Sequence, residues 1–366
     1  MAAAQRDAVS PAYRAQLDTL RAAAVTTVLV THLLVPFGPA HQGVRLFFVI
    51  SGFLITGILL KQRDESHQTL WQKLRIFYVR RSIRIWPIYY LTLGAAFAVN
   101  LASVRDSALW HFAYLSNFYY MKVGSWDPAV TGHLWSLSVE EQYYLLWPAI
   151  VLLIPDRRLV WVLAGGAATA VLYRWIMTFT SVAYPDIGTP AALDALCMGG
   201  ALALAKHAGI PYRSLRPYLW SALISALVAI AILEHSGSAS AKFVLVDFCF
   251  AVVFTAIVAA ADHGVKGPLK TIFESRPILY IGRISYGIYL YHLFVAYVTL
   301  RAASYIGFDL PARGIATFLM VSALTIVAAT ISWFVVERPL ASWKRRFPYE
   351  ADRTTSLRSR EQPFRS

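Results

Sequence analysis

The chain has 366 residues, 57% hydrophobic, 14% aromatic and only 15% charged. Soluble domains carry about 25% charged residues to keep their surfaces wetted, so a soluble globular protein is excluded, as is a disordered chain. A disulfide scaffold is excluded too, since the two cysteines, Cys197 and Cys249, both sit inside apolar blocks. The net charge of +14 fits basic cytoplasmic loops between membrane spans, and no nucleic-acid partner is expected.

Residues 1–18 are polar, contain Arg6 and Arg14 and lack the pattern of a cleaved signal peptide, so they read as a cytoplasmic segment. Apolar stretches of membrane-spanning length follow near 19–38, 44–60, 86–103, 139–155, 159–177, 191–205, 217–233, 243–262, 284–302 and 314–336. The expected fold is therefore an all-α integral membrane bundle of about ten transmembrane helices over residues 19–340. Sorting the basic residues supports this count. Lys61, Arg63, Lys73, Arg75, Arg80, Arg81, Arg84, Arg157, Arg158, Lys206, Arg213, Arg216, Lys266, Lys270, Arg276 and Arg283 fall in loops of one side; Arg105, Lys122, Lys242 and Arg313 fall on the other. The positive-inside rule then places both termini in the cytoplasm. Residues 341–366 read as a basic cytoplasmic tail attracted to anionic lipid. No internal repeat is evident.

Ionisable groups inside spans are costly, so each is a candidate site. His32 lies about thirteen residues into the first span, ~20 Å from its inner end at the helical rise. Its imidazole suits general-base chemistry. In the second stretch, GVRLFFVISGFLIT, the small residues Gly43, Ser51 and Gly52 favour close helix contact. In FYVRRSIRIWPIYYL, Arg81 and Arg84 stand three apart on one face with Arg80 beside them. They serve either as a topological stop or as a phosphate clamp. HLWSLSVEEQYYLLWP, residues 133–148, collects His133, Ser136, Ser138, Glu140, Glu141 and Gln142 at the mouth of the fourth span. There Ser138 suits an N-cap, and Glu140 and Glu141 suit the helix's positive end. Asp194 enters the sixth span and needs a partner. His292 lies in SYGIYLYHLF of the ninth, near Ser285 and three tyrosines. In the closing VVERPL, a Glu337–Arg338 ion pair is expected to fix the bundle's end, with Pro339 stopping the helix.

These residues leave two readings open: an enzyme with His32 as base, or a transporter or flippase for a lipid-linked or acidic solute that uses the same groups as proton relays. The absence of repeats and the arginine cluster argue against the second.

In order along the chain, LDTLRAAAVTTVLVTH, GVRLFFVISGFLIT, FYVRRSIRIWPIYY, HLWSLSVEEQYYLLWP, RISYGIYLYH and VERP resemble the motifs of acyltransferase family 3, over about residues 16–340. That resemblance implies a bacterial inner-membrane enzyme that moves an acyl group, most often acetyl, from acyl-CoA to a hydroxyl of a saccharide or glycolipid. His32 takes the place of the family's catalytic first-helix His, and Arg81 and Arg84, with Arg80 adjacent, take that of the arginines associated with acyl-CoA. Ser138 and Glu140 fall in the serine–leucine–serine–x–glutamate motif, and His292 falls in the ninth-helix motif. Three positions depart: Thr19 replaces a Gly, Arg45 stands where many members carry Asp, and Ala192 where many carry Arg. The esterase-like domain that some relatives append is also not expected here.

Together these readings imply the following chemistry. Arg80, Arg81 and Arg84 hold the CoA phosphates. His32, oriented by Glu140 or Glu141, deprotonates the acceptor. Ser138 or a helix N-terminus supports the oxyanion, while His133, Glu141, Asp194 and His292 contact the acceptor. Direct transfer and a two-step route through an acylated His32 or serine both remain open, and no metal is expected. A passage from the arginine side to His32 is the spatial requirement.

Overall fold

Inside a bilayer every backbone N–H and C=O must be satisfied within the protein, which leaves helices as the simplest answer for such a chain. The computed structural model describes residues 15–35, 38, 40–65 and 67–349, and among these there is no strand. Arg6 and Arg14, and the basic tail from residue 350 onward, lie outside the described residues.

Ten helices of fifteen or more residues occur among the described residues, one over each apolar stretch. They are α1 (Ala15–Leu33), α2 (Ala40–Glu65), α3 (Leu70–Ala98), α4 (Leu134–Leu153), α5 (Asp156–Met177), α6 (Leu193–His207), α7 (Tyr212–Ser236), α8 (Ala239–His263), α9 (Ser285–Tyr305) and α10 (Ile315–Ser332). Five of them, α2, α5, α7, α8 and α10 with its continuation, are long and apolar enough to cross a membrane alone. Two bent pairs raise the number to seven. α3 turns by 104° into Leu101–Phe112, and Arg276–Arg283 meets α9 at 70°. Of the rest, α1 and α4 carry the polar residues described below and α6 has only fifteen residues. The protein is a multi-pass helical membrane protein.

α2 sits at the centre, most of its apolar span buried, whereas α7 lies at the periphery with Ala226 as its one buried residue. Small residues let the central helices touch. A Cβ at Gly43 would collide with Thr27 of α1, one at Gly52 with the Leu196 carbonyl of α6, and one at Gly199 with the Val49 carbonyl of α2. Backbone cannot swing aside as a side-chain tip can, so Gly52→Val is expected to cost more than the about 1–3 kcal/mol of ordinary overpacking. Detergent-solubilised size exclusion and a thermal melt should show less folded protein and a lower midpoint.

Three local expectations need correction. The fourth helix begins at Leu134, because Gly132 and His133 already have helical dihedrals. Ser138 is therefore inside the helix and is not its N-cap, and Glu140 and Glu141 lie beyond the first turn. Pro339 does not stop the last helix. A π turn over Trp333–Glu337 leads into Arg338–Ala341, whose first turn holds Pro339, where a missing N–H is tolerated. Finally, Glu337 and Arg338 do not pair: Ser332 Oγ donates to Glu337, and Arg338 lies over the Phe334 ring at 5.7 Å.

Candidate active site

Three imidazoles meet where α1, α4 and α9 converge. His32 is the penultimate residue of α1, His133 directly precedes α4, and His292 lies two turns into α9. His32 Nδ1 is 2.9 Å from His292 Nε2, with ring planes within 14°. His133 and His292 have centroids 4.7 Å apart. His133 and His292 are buried and His32 is half-buried. Sequence analysis named all three, and the fold brings them together across 260 residues of chain. Among the described residues no group of three His, Cys, Asp or Glu is placed to hold a metal ion.

Next to them is a cavity of about 100 Å³, lined by Arg21, Arg81 and Arg84 with Glu140 as a single carboxylate. Arg81 and Arg84 share a helix face, as their spacing requires, and the Arg81 guanidinium lies over the Tyr144 ring at 4.0 Å. Three guanidiniums against one lining carboxylate leave this wall rich in positive charge, although Arg21 also pairs with Asp18 at 2.7 Å. Ser136 and Tyr289 line its other end. One turn further on each helix stands a histidine, at Ser136→His133 on α4 and Tyr289→His292 on α9. On α1, Arg21 and His32 are eleven residues apart, ~16 Å along the axis.

Tyr289 stands between the cavity and the imidazoles. Tyr289 Oη donates to His133 O at 2.8 Å and meets Ser136 Oγ at 2.5 Å, and its ring lies 5.5 and 5.7 Å from those of His133 and His292. The cavity wall thus reaches Ser136 and Tyr289, and none of the three imidazoles lines it.

Other anticipated residues stand elsewhere. Arg80 points away from the cavity, about 100° around α3 from Arg81; it donates to Phe347 O at 2.9 Å and lies over the Tyr349 ring at 4.1 Å. Ser138 Oγ is fully buried against Ser116 Oγ at 2.7 Å, so of the two serines in this motif it is Ser136 that lines the cavity. Glu141 accepts from Trp86 Nε1 at 3.2 Å and is not part of the cavity wall. Neither Glu140 nor Glu141 reaches His32, whose side-chain partner is His292.

Asp194 is fully buried between two guanidiniums. Arg174 Nη2 donates to its Oδ2 at 2.7 Å and Arg45 holds its Oδ1, while Arg45 also reaches Asp247 at 3.3 Å. His41 Nε2 closes the network on Asp247 at 2.9 Å. Both carboxylate oxygens of Asp194 are engaged by these guanidiniums, and it does not line the arginine cavity. Arg45 is the partner that this carboxylate requires.

Sequence reasoning missed Arg21, Tyr289, Arg174 and Asp247. A signal existed for three of them. Arg174 and Asp247 are charges inside apolar spans, and Arg21 follows Asp18 at the helical spacing where the two form an ion pair of 2.7 Å.

Comparison with known proteins gives the family. The family model of the acyltransferase domain of acyltransferase family 3 matches residues 14–337. The peptidoglycan O-acetyltransferase OatA of Listeria monocytogenes is 29% identical over 358 residues, covering 90% of this chain and 56% of that protein. The O-acetyltransferase OatA of Staphylococcus aureus is 27% identical over 364 residues, covering 90% of this chain and 58% of its own length. The chain thus spans little more than half the length of these relatives. No solved structure matches it. With a match running through all the helices that build the cavity and the histidine cluster, the chain belongs to acyltransferase family 3.

Proposed function

We propose that this protein is a membrane O-acetyltransferase that moves an acetyl group from acetyl-CoA to a hydroxyl of a cell-envelope saccharide or glycolipid, in the cytoplasmic membrane of a bacterium. The observation that carries the reading is the juxtaposition of a three-arginine cavity with a cluster of three imidazoles, two of which, His133 and His292, stand one helical turn from its lining residues Ser136 and Tyr289. The printed activity of the Listeria relative, O-acetylation of peptidoglycan, supports a saccharide acceptor. The basic loops support a ten-span topology with both termini, including the tail from residue 341, in the cytoplasm. This puts the arginine cavity on the side where CoA is made, and the histidines toward the side where envelope polymers are assembled.

In the mechanism, Arg21, Arg81 and Arg84 hold the CoA phosphates, a task suited to guanidinium groups that donate in pairs. The acyl end reaches past Ser136 and Tyr289, and the Tyr289 ring has to rotate to admit it. His32 takes the proton of the acceptor hydroxyl as that oxygen attacks the thioester carbonyl. The carbon–sulfur bond breaks, and the CoA thiolate leaves with the proton that His32 returns. Ser136 and Tyr289, whose side chains line this end of the cavity, supply the hydroxyls for the developing oxyanion once Tyr289 has turned from the His133 carbonyl.

The test is incorporation of labelled acetate from acetyl-CoA into peptidoglycan or lipopolysaccharide by the purified protein in lipid nanodiscs, read by mass spectrometry of the glycan. An added acetyl mass on the glycan upholds the reading, and acetyl-CoA that stays unconsumed with every envelope glycan overturns it. Each charge-assisted contact is worth about 1.5–3 kcal/mol. Arg84→Gln is therefore expected to raise the KM for acetyl-CoA by about tenfold or more and to leave the acceptor KM unchanged.

A further inference from the structure

We propose that His292 is a positioning residue that fixes the tautomer of His32 and thereby selects which nitrogen accepts the proton. The proposal rests on the reading of His32 as the base.

The argument starts from a carbonyl. His292 Nδ1 lies 2.6 Å from Tyr289 O, three residues back in its own helix. A carbonyl oxygen only accepts, so His292 Nδ1 carries hydrogen. Among the described residues no carboxylate contacts any of the three imidazoles, so a cationic His292 buried in their midst would be uncompensated. His292 is therefore neutral and its Nε2 bears a lone pair. That lone pair faces His32 Nδ1 at 2.9 Å, and the nearly coplanar rings with centroids 5.0 Å apart meet edge to edge. His32 must donate from Nδ1 across this contact, which leaves His32 Nε2 as the bare nitrogen.

The arrangement does for His32 what a carboxylate does in a nucleophile–histidine–aspartate triad: it sets the ring's orientation and tautomer. It also strengthens as the reaction proceeds. Once His32 Nε2 takes the acceptor's proton, the Nδ1–H···Nε2 contact becomes charge-assisted. The neighbouring carbonyl of α9 acts likewise on the third ring. His133 Nε2 lies 3.0 Å from Leu290 O and so carries the hydrogen, leaving His133 Nδ1 buried with no partner. Two consecutive carbonyls of α9 thus dictate the protonation pattern of the whole cluster, which accounts for the imidazole, and not a carboxylate, beside His32.

Nitrogen-15 NMR of histidine-labelled full-length protein in nanodiscs tests this, with the His32 signals assigned by their loss in His32→Gln. The expected spectrum shows His32 with a protonated Nδ1 and an unprotonated Nε2. In His292→Ala that pattern should move toward the Nε2–H form, kcat should fall by about 10²- to 10⁴-fold as for a wrongly held base, and the KM for acetyl-CoA should hold. His292→Gln, whose side-chain oxygen can replace Nε2 as acceptor, should keep both the pattern and most of the kcat. A protonated Nε2 on His32 in the unsubstituted protein overturns the proposal, as does an unchanged pattern in His292→Ala. If His292→Ala does not fold, the unsubstituted and glutamine spectra decide. Failure of the underlying reading looks different: His32→Ala would stay active while the tautomer pattern remained as described.

Discussion

His32→Ala is expected to reduce acetyl transfer by about 10²- to 10⁴-fold, the range for removal of a positioned general base, with little change in folded protein. The half-buried His32 ring hangs at the end of α1 and contributes one side-chain hydrogen bond, to His292. Its loss leaves His292 Nε2 without a partner, a cost of about 1–3 kcal/mol that a bundle of this size can absorb. Binding should be spared as well, because Arg21 lies ~16 Å away along the same helix and Arg81 and Arg84 stand on α3. The measurement is kcat and KM for acetyl-CoA on nanodisc protein whose elution profile matches the unsubstituted form. Full activity would remove His32 from the reaction.

Asp194→Ala should fail in the opposite way, through folding. Its two oxygens engage Arg174 and Arg45, both almost wholly buried. Removing one partner of a buried ion pair costs about 3–5 kcal/mol, because the remaining charge has no solvent to turn to. Arg174 keeps only the carbonyls of Val244 and Ala191. The expected results are a sharply lower yield in membranes and a lower melting midpoint, with an unchanged KM for acetyl-CoA in whatever remains folded. Replacing Arg174 by Met and Asp194 by Leu together should recover the part of the loss that Arg174 causes and no more, since buried Arg45 then keeps Asp247 alone. A normal melt with a raised acceptor KM would return Asp194 to the acceptor site.

The contrast between these two residues shows where sequence reading stops. Both are ionisable groups inside apolar stretches, and by membrane cost alone both are candidates for chemistry. What separates them is partners: one imidazole for His32, two guanidiniums from distant helices for Asp194. The same limit operates within a single helix. Ser136 and Ser138 are two residues apart and so about 200° apart around α4; Ser136 reaches the cavity and Ser138 packs against Ser116. Glu140 shares the face of Ser136 at the i, i+4 spacing, and Glu141 does not. Arg80 and Arg81 divide in the same manner. A motif marks a segment, while the rotation of its helix decides which members act.

The amino-acid sequence alone determined that the chain is helical and lipid-embedded, roughly where each helix lies, and which segments carry polar groups into the bundle. It does so because the bilayer imposes run length and charges every polar intrusion a large free energy, and both effects are local to the chain. Only the tertiary structure decided that His32 pairs with His292 and not with a glutamate, that Arg21 joins the arginine cavity, and that Tyr289 stands between the cavity and the histidines. Those outcomes depend on helix rotation and on contacts between residues more than a hundred positions apart, and neither is encoded in any window of hydropathy or spacing.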